Sequence, residues 1–223
     1  MAEWLGRSIL FSGHEWLVKG SDEPVGPGPN WFSDDERFVW VDEAGQLHLR
    51  IGREGSAWQC AEVVSRESFG YGEYVFHLAG GADEINENAV LGLFTWDTDP
   101  AFHNREIDIE IARWGDPKNA NGQYVVQPYD SPGKLHRFSV LLDGMESSHR
   151  FDRRANEVRF SSRTESGSMI ARWEYAGPEV PPQGNEQARI NLWLFQGRPP
   201  SDGKEIEVVV RGFEFRGNDG RER

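Results

Sequence analysis

The sequence predicts an all-β sandwich of two curved antiparallel sheets, and two observations carry that expectation. Apolar and polar residues alternate in short runs, the pattern of half-buried strands. Clusters of Gly, Pro, Asn and Asp separate the runs at regular spacing, as in sandwiches and barrels. In chain order the runs are QLHLRIGR (46–53), GEYVFHLAG (72–80), EIDIEIARW (106–114), GQYVVQPY (122–129), HRFSVLL (136–142), NEVRFSSR (156–163), MIARWEY (169–175), ARINLWLF (188–195) and EIEVVVRGFEF (205–215). Between them lie GPGPN, DEAG, GDPKNANG, DSPGK, GPEVPPQG and RPPSDG, which supply the restricted and left-handed backbone positions that turns need. No helix longer than a turn is expected. The 25 Gly and 12 Pro are spread along the chain, without a fixed-period repeat or a low-complexity tract, so residues 1–223 are expected to form a single domain. SDEPVGPGPNWFSDD (21–35) is the longest irregular segment and is expected to be a surface loop bordering a cleft.

Composition narrows the functions. Hydrophobic residues make up 37% of 223, enough for one sizeable core. Lys plus Arg number 24 against 37 Asp plus Glu, a net charge of −13. That field repels a phosphate backbone, so neither nucleic acid nor an anionic membrane is an expected partner. Nowhere do 18 apolar residues run together, and MAEWLGRSILFSGHEW lacks the basic and apolar regions of an export signal. Cys60 stands alone, which excludes an intrachain disulfide. His14, His48, His77, His103, His136 and His149 never fall at short ligand spacing with each other or with Cys60, so no metal is expected. Neither a nucleophile elbow nor a phosphate-binding Gly loop is present, no cofactor is expected, and the chain is expected to be a monomer. The nine Trp and five Tyr are flat amphipathic rings, equally suited to cores and to the apolar faces of sugars.

EIDIE (106–110) is the segment that stability alone explains least. Along a strand, side chains alternate between faces, so Glu106, Asp108 and Glu110 point one way and Ile107 and Ile109 the other. Glycoside hydrolysis with retention uses two carboxyl groups about 5–5.5 Å apart, one as nucleophile and one as acid and then base. Residues i and i+4 of a strand lie roughly 13 Å apart, and two Glu side chains leaning together close most of that gap. Crowding raises one pKa and keeps a proton for the leaving group. An amphipathic strand with an acidic solvent face is the other reading of the pentapeptide by itself.

Its surroundings resemble glycoside hydrolase family 16, and within it the bacterial lichenases, which cleave mixed-linkage β-1,3-1,4-glucans. CAEVVSRESFGYGEYVFHL resembles the family's strand pair with a Tyr-Gly-Tyr-Gly turn, here Phe69, Gly70, Tyr71 and Gly72. LFTWD is similar to the Phe-Thr-Tyr strand just upstream of the catalytic one, here Phe94, Thr95 and Trp96. EIDIEI matches the catalytic motif without the extra residue of the β-bulge subgroup, and INLWLF resembles the Met-Asn-Leu-Trp strand. The resemblance spans roughly residues 58 to 196. It implies a concanavalin A-like β-jelly roll, with Glu106 as nucleophile, Asp108 as assisting carboxylate and Glu110 as general acid/base. It further implies Trp96 and Trp193 as sugar platforms, Phe94 beside Trp96, and Glu62 and Asn191 as polar contacts.

Flanking residues extend and qualify this. Gln127 and Tyr129 lie where alternation could aim both into the groove, with a plain hairpin neighbour as the alternative, and Trp114 and Arg113 follow Glu110 closely. His103 and Asn104, just before the motif, are read as cleft-lining or loop-surface residues. Val64 stands where the family has an Arg, and Arg66 is expected on the same face but displaced. His136 is retained in the downstream strand, whereas Leu142 replaces an aromatic. Arg211 falls near the Asp that binds structural calcium in many members, which argues against that ion. The expected function is retaining endo-hydrolysis of a β-linked polysaccharide, a β-1,3-1,4- or β-1,3-glucan. A lectin-like glycan-binding module and a transglycosylase remain the alternatives.

Overall fold

The computed structural model describes residues 2–177 and 179–218 and is built almost wholly of strands. They are β1 (Glu3–Phe11), β2 (His14–Ser21), β3 (Trp31–Phe32), β4 (Val39–Val41), β5 (Leu47–Glu54), β6 (Ala57–Ser68), β7 (Gly72–Leu78), β8 (Ala89–Trp96), β9 (Ile107–Ala112), β10 (Gly122–Val126), β11 (Leu135–Phe138), β12 (Ser147–Arg153), β13 (Glu157–Thr164), β14 (Met169–Ala176), β15 (Gln187–Leu194) and β16 (Ile206–Gly217). One antiparallel sheet runs β11-β10-β9-β8-β15-β6-β2-β1. The other runs β4-β5-β16-β7-β12-β13-β14. The β5–β6 hairpin laces them together, pairing Gly52 with Gln59 and Glu54 with Ala57. Spatial neighbours such as β8 and β15, or β7 and β16, are distant in sequence, the long-range connectivity of a jelly roll. No helix among the described residues is long and apolar enough to cross a membrane.

Alternation places the core. Ile107, Ile109 and Ile111 of β9 turn inward and are at most 1% exposed, each contributing about 1.5–3 kcal/mol by leaving water. They join Leu91, Leu93, Ile190 and Leu192 from their own sheet and Tyr74, Phe76, Phe151 and Phe160 from the facing one in a continuous cluster. The Tyr74 and Phe151 rings stack with centroids 4.7 Å apart, and Tyr124 stacks on Phe160 at 4.9 Å across the sandwich. Because the inward residues lock this register, a one-residue slip of β9 would bury its acids and expose its isoleucines.

The chain departs from the expected elements in places. The strand expected through 136–142 ends at Phe138. Beyond it the side chains of Asn121 and Asp83 accept the backbone N–H groups of Val140 (2.7 Å) and Leu142 (2.8 Å), replacing a sheet partner. Leu142 is buried in the core, so the replaced aromatic touches no cleft, and His136 stacks beside Tyr124 and Trp173. Strands β1, β2, β3, β4 and β12 lie outside the alternating runs, β3 falling within the 21–35 segment expected to be a loop, and β6 and β8 were expected only from the resemblance; β1 is an edge strand whose exposed positions include Leu5 and Leu10.

Residues 179–186 form a strap between β14 of one sheet and β15 of the other. Basic side chains from separate elements hold it. Arg153 of β12, fully buried, pairs with the fully buried Glu186 and donates to the carbonyls of Pro181 (3.1 Å) and Pro182 (2.9 Å). Lys134, 2% exposed, pairs with Glu179 at 3.0 Å, and Arg105 donates through Nε to Pro182 O at 3.0 Å. Removing Arg153 alone strands a buried carboxylate. Arg153→Met is therefore expected to cost about 3–5 kcal/mol in urea denaturation, and Arg153→Met with Glu186→Leu to recover most of it. A single-variant cost below about 1 kcal/mol would mean that the pair does not anchor the strap.

Candidate active site

On the face of β9 opposite the isoleucines, Asp108 and Glu110 point away from the core, and Glu106 stands one residue before the strand begins. All three line one pocket of about 380 Å³. Cross-strand register arranges its floor in rows. One row runs Glu62, Asn191, Gly92, Glu110, Gln123 across β6, β15, β8, β9 and β10; the next runs Val64, Arg189, Phe94, Asp108, Val125. Asn191 is 3% exposed, and its Oδ1 has no hydrogen-bond partner among the described residues. A Cβ on Gly92 would lie 2.5 Å from that oxygen, so the glycine keeps open the space between Asn191 and Glu110. An unpartnered buried acceptor facing a pocket is suited to a hydroxyl donor from a ligand.

The acids are tuned together. Asp108 is raised well above the ordinary carboxyl range by burial, then by the charges of Glu106 and Glu110, so it retains its proton and donates it toward Glu106. Glu106 is pushed up to about 7, as Glu110 is, by burial and by the charge of Glu110, while the Asp108 hydrogen bond and the Arg189 guanidinium favour its carboxylate. Burial raises Glu110 to about 7, opposed by a 2.6 Å hydrogen bond from Gln123 Nε2 to its Oε2 and by the charge of Arg137. The arrangement therefore supplies an ionisable oxygen at Glu106 and a proton held near neutrality at Glu110, the complement of groups that acid–base chemistry at a glycosidic bond needs.

Of the residues singled out from sequence, Glu62, Phe94, Trp96, Asn191 and Trp193 line this pocket. Gly26 and Pro27 also line it, so the 21–35 segment does border the cleft. Several roles shift. Both Glu62 oxygens are occupied, by Arg189 at 2.8 Å and Lys19 at 3.4 Å, which makes it the anchor of two cleft cations. The Arg189 guanidinium lies 4.3 Å above the Trp96 ring, leaving that face closed to a sugar. Trp114 does not line this pocket: the chain turns left-handed there (φ 54°), and the half-buried indole packs edgewise against Trp193 and Phe195. Gln127 lies past the end of β10 and, instead of lining the groove, donates to Asp108 Oδ2 at 3.2 Å. Tyr129 is 63% exposed, and Arg113 turns to the carbonyls of Asp83 and Asn119.

Arg189, Lys19 and Gln123 were missed from sequence. Arg189 stands directly opposite Val64 on the neighbouring strand, so a guanidinium reaches the cleft from β15, while Arg66 is exposed and pairs with Glu15 at 3.3 Å. Period-two alternation from Asn191 and Gln127 would have found Arg189 and Gln123. Nothing marked Lys19, on the unrecognised β2. Arg211 pairs with Glu146, and no cluster of His, Cys, Asp and Glu among the described residues is arranged to hold a metal.

Glu106 follows an unusual turn. His103, Asn104 and Arg105 are all left-handed, with φ of 50°, 58° and 51°, at a cost of about 1–2 kcal/mol each for residues other than glycine. Hydrogen bonds over-determine the turn: Asp97 N to Asn104 O (2.7 Å), Asn104 Nδ2 to Asp97 O (2.9 Å), and Thr95 Oγ1 to Arg105 O (2.9 Å). Asn104 is thus spent on the turn, and His103 is exposed at its tip.

Raised carboxyl pKa values have a stability consequence. The folded chain binds more protons than the unfolded one between about pH 4 and pH 7, so these groups contribute fully below about pH 4 and lose that contribution as pH rises through 7. Glu110→Gln is expected to melt a few degrees above the wild type at pH 8 and level with it at pH 4. A difference in melting temperature that does not vary with pH would rule this out.

No family model matches the sequence, and no curated protein matches it. Solved structures do. The Bacillus licheniformis β-glucanase superposes with a TM-score of 0.67 at 18% identity, over 94% of this chain and 98% of that one. A prokaryotic β-1,3-1,4-glucanase (lichenase) from a mouse hindgut metagenome gives 0.65 at 17% identity, over 96% and 99%. An immunostimulatory antigen and pseudo β-1,3-glucanase of Mycobacterium tuberculosis gives 0.68 at 17% identity, over 93% and 96%. At this identity the likeness is one of fold: the chain is a β-jelly roll of the kind that these glucanases have, as its resemblance to glycoside hydrolase family 16 implies.

Proposed function

We propose that the protein is a retaining endo-hydrolase of a β-linked polysaccharide, with a β-1,3-1,4- or β-1,3-glucan as substrate. The observation that carries this reading is the row of Glu106, Asp108 and Glu110 on the floor of one pocket, with pKa values raised chiefly by burial, beside Trp193 and the unpartnered Asn191. Glu110 protonates the glycosidic oxygen as the bond to the anomeric carbon breaks, and a Glu106 oxygen bonds to that carbon, forming a glycosyl ester. Protonated Asp108 holds the Glu106 carboxylate in place for the attack. In the second half, Glu110 takes a proton from water, whose oxygen attacks the same carbon and releases the Glu106 carboxylate.

A glycan-binding role without turnover is the second reading. It is favoured by the pseudo β-1,3-glucanase among the structural neighbours. Reducing-sugar release from a panel of β-glucans separates the two. The wild type is expected to act on at least one glucan, and Glu106→Gln to abolish turnover while leaving binding within a few-fold. Binding without release by the wild type would favour the second reading.

The proton on Glu110 gives a further expectation. Activity requires it, so kcat/KM falls as pH rises through about 7. Gln123→Leu removes a donor that favours the charged form and is expected to move this alkaline limb upward by about one pH unit. A limb that stays in place would mean that Glu110 is not the group titrating.

A further inference from the structure

Asp108 and Glu110 are held by ladders on both sides, paired with Phe94 and Gly92 of β8 and with Val125 and Gln123 of β10. Glu106 is not. The β8–β9 ladder ends at the Thr95–Ile107 pair, and beyond it the Glu106 backbone has the Gln127 N–H on its carbonyl (3.2 Å) and its own N–H on His103 O (3.2 Å). Its place along the cleft therefore depends on the left-handed turn before it, which the Asn104 and Thr95 side chains brace from within and the Arg105 side chain ties to the strap. The Arg105 guanidinium, 8% exposed, is bound through Nη1 to Asp97 and to Asp99 (3.2 Å) and through Nε to the strap carbonyl of Pro182 (3.0 Å). The Phe102 ring covers it at 4.5 Å, and Gly184 of the strap lies so near that a Cβ there would come within 2.3 Å of Nε.

We propose that Arg105 is a positioning residue for Glu106, fixing the nucleophile through the turn and the strap rather than through the sheet. The proposal rests on the reading of Glu106 as nucleophile. A planar fork that donates in several directions at once suits this slot, and Lys, with a single ammonium, cannot reproduce it. Arg105 lies outside the pocket that holds the acids, in a neighbouring groove that shares Trp96 with it, and its loss is expected to act on kcat more than on KM.

The test compares Arg105→Gln and Arg105→Lys with the wild type, Glu106→Gln and Glu110→Gln. Each is assayed on a β-glucan and on a gluco-oligosaccharide with a 2,4-dinitrophenyl leaving group, which departs without an acid. Circular dichroism and melting temperature establish folding. For Arg105→Gln, kcat is expected to fall about a hundredfold on both substrates with KM changed less than about threefold, and Arg105→Lys to fall between it and the wild type. In kcat/KM, which reports the first half of the reaction, a defect of nucleophile placement persists with the activated substrate, whereas that of Glu110→Gln is relieved. Should the Arg105 variants fail to fold, Gly184→Ala displaces the guanidinium with Arg105 intact and is expected to lower kcat in the same way. Wild-type kcat in a folded Arg105→Gln or Gly184→Ala protein, or a loss relieved by the activated leaving group, overturns the proposal. If Glu106→Gln is dead and Arg105→Gln is not, this inference alone fails. A wild type inert on every glucan, or an active Glu106→Gln, removes the nucleophile reading and this inference together.

Discussion

Like charges confined to one strand face are the constraint around which this molecule is arranged. Glu106, Asp108 and Glu110 cannot all ionise in a half-enclosed pocket, because each charge raises the cost of the next. The surroundings divide protons among them. Asp108, the most deeply placed, keeps one and spends it on Glu106; Arg189 adds positive charge on the Glu106 side; Gln123 donates to Glu110. The cleft cations are restrained in turn, since Glu62 holds both Lys19 and Arg189. The pocket is thus a closed electrostatic set with few charges free to collapse onto the acids.

Two mechanical systems support that set. The sheet fixes Asp108 and Glu110 through register, and the register is locked from beneath by the isoleucines of β9 in the core. The turn at 103–105 and the strap fix the end where Glu106 lies. Gln127 joins the two: its side chain holds Asp108, its N–H holds the Glu106 carbonyl, and its own carbonyl accepts from buried Lys134 at 3.1 Å. A small glycine at 92 and an unfilled amide oxygen at 191 leave the open volume where a ligand's polar groups would sit.

Much of this was legible in the sequence, for a definite reason. Period-two alternation is local, so EIDIE announced both its acidic face and its buried face, and the turn clusters announced the sandwich. What depends on tertiary approach was hidden. Trp96 was expected as a sugar platform and Trp114 close after the acids, yet one carries a guanidinium on its ring and the other packs edgewise on Trp193 after a left-handed kink. HRFSVLL read as a full strand because its alternation is good, whereas the side chains of Asn121 and Asp83 claim its later N–H groups. Lys19 arrives on a strand that alternation did not reveal. Gln123 and Arg189 were recoverable, being two-residue steps from positions already singled out.

The strap has a consequence for how this fold comes apart. Its anchors come from β12 in one sheet, from the turn before β9 in the other, and from the segment leading into β11. Loosening it frees a buried carboxylate, a buried ammonium and the support of the Glu106 turn in one event. The strap is therefore a shared joint, and a disturbance that reaches it is felt by both sheets and by the Glu106 end of the pocket at once.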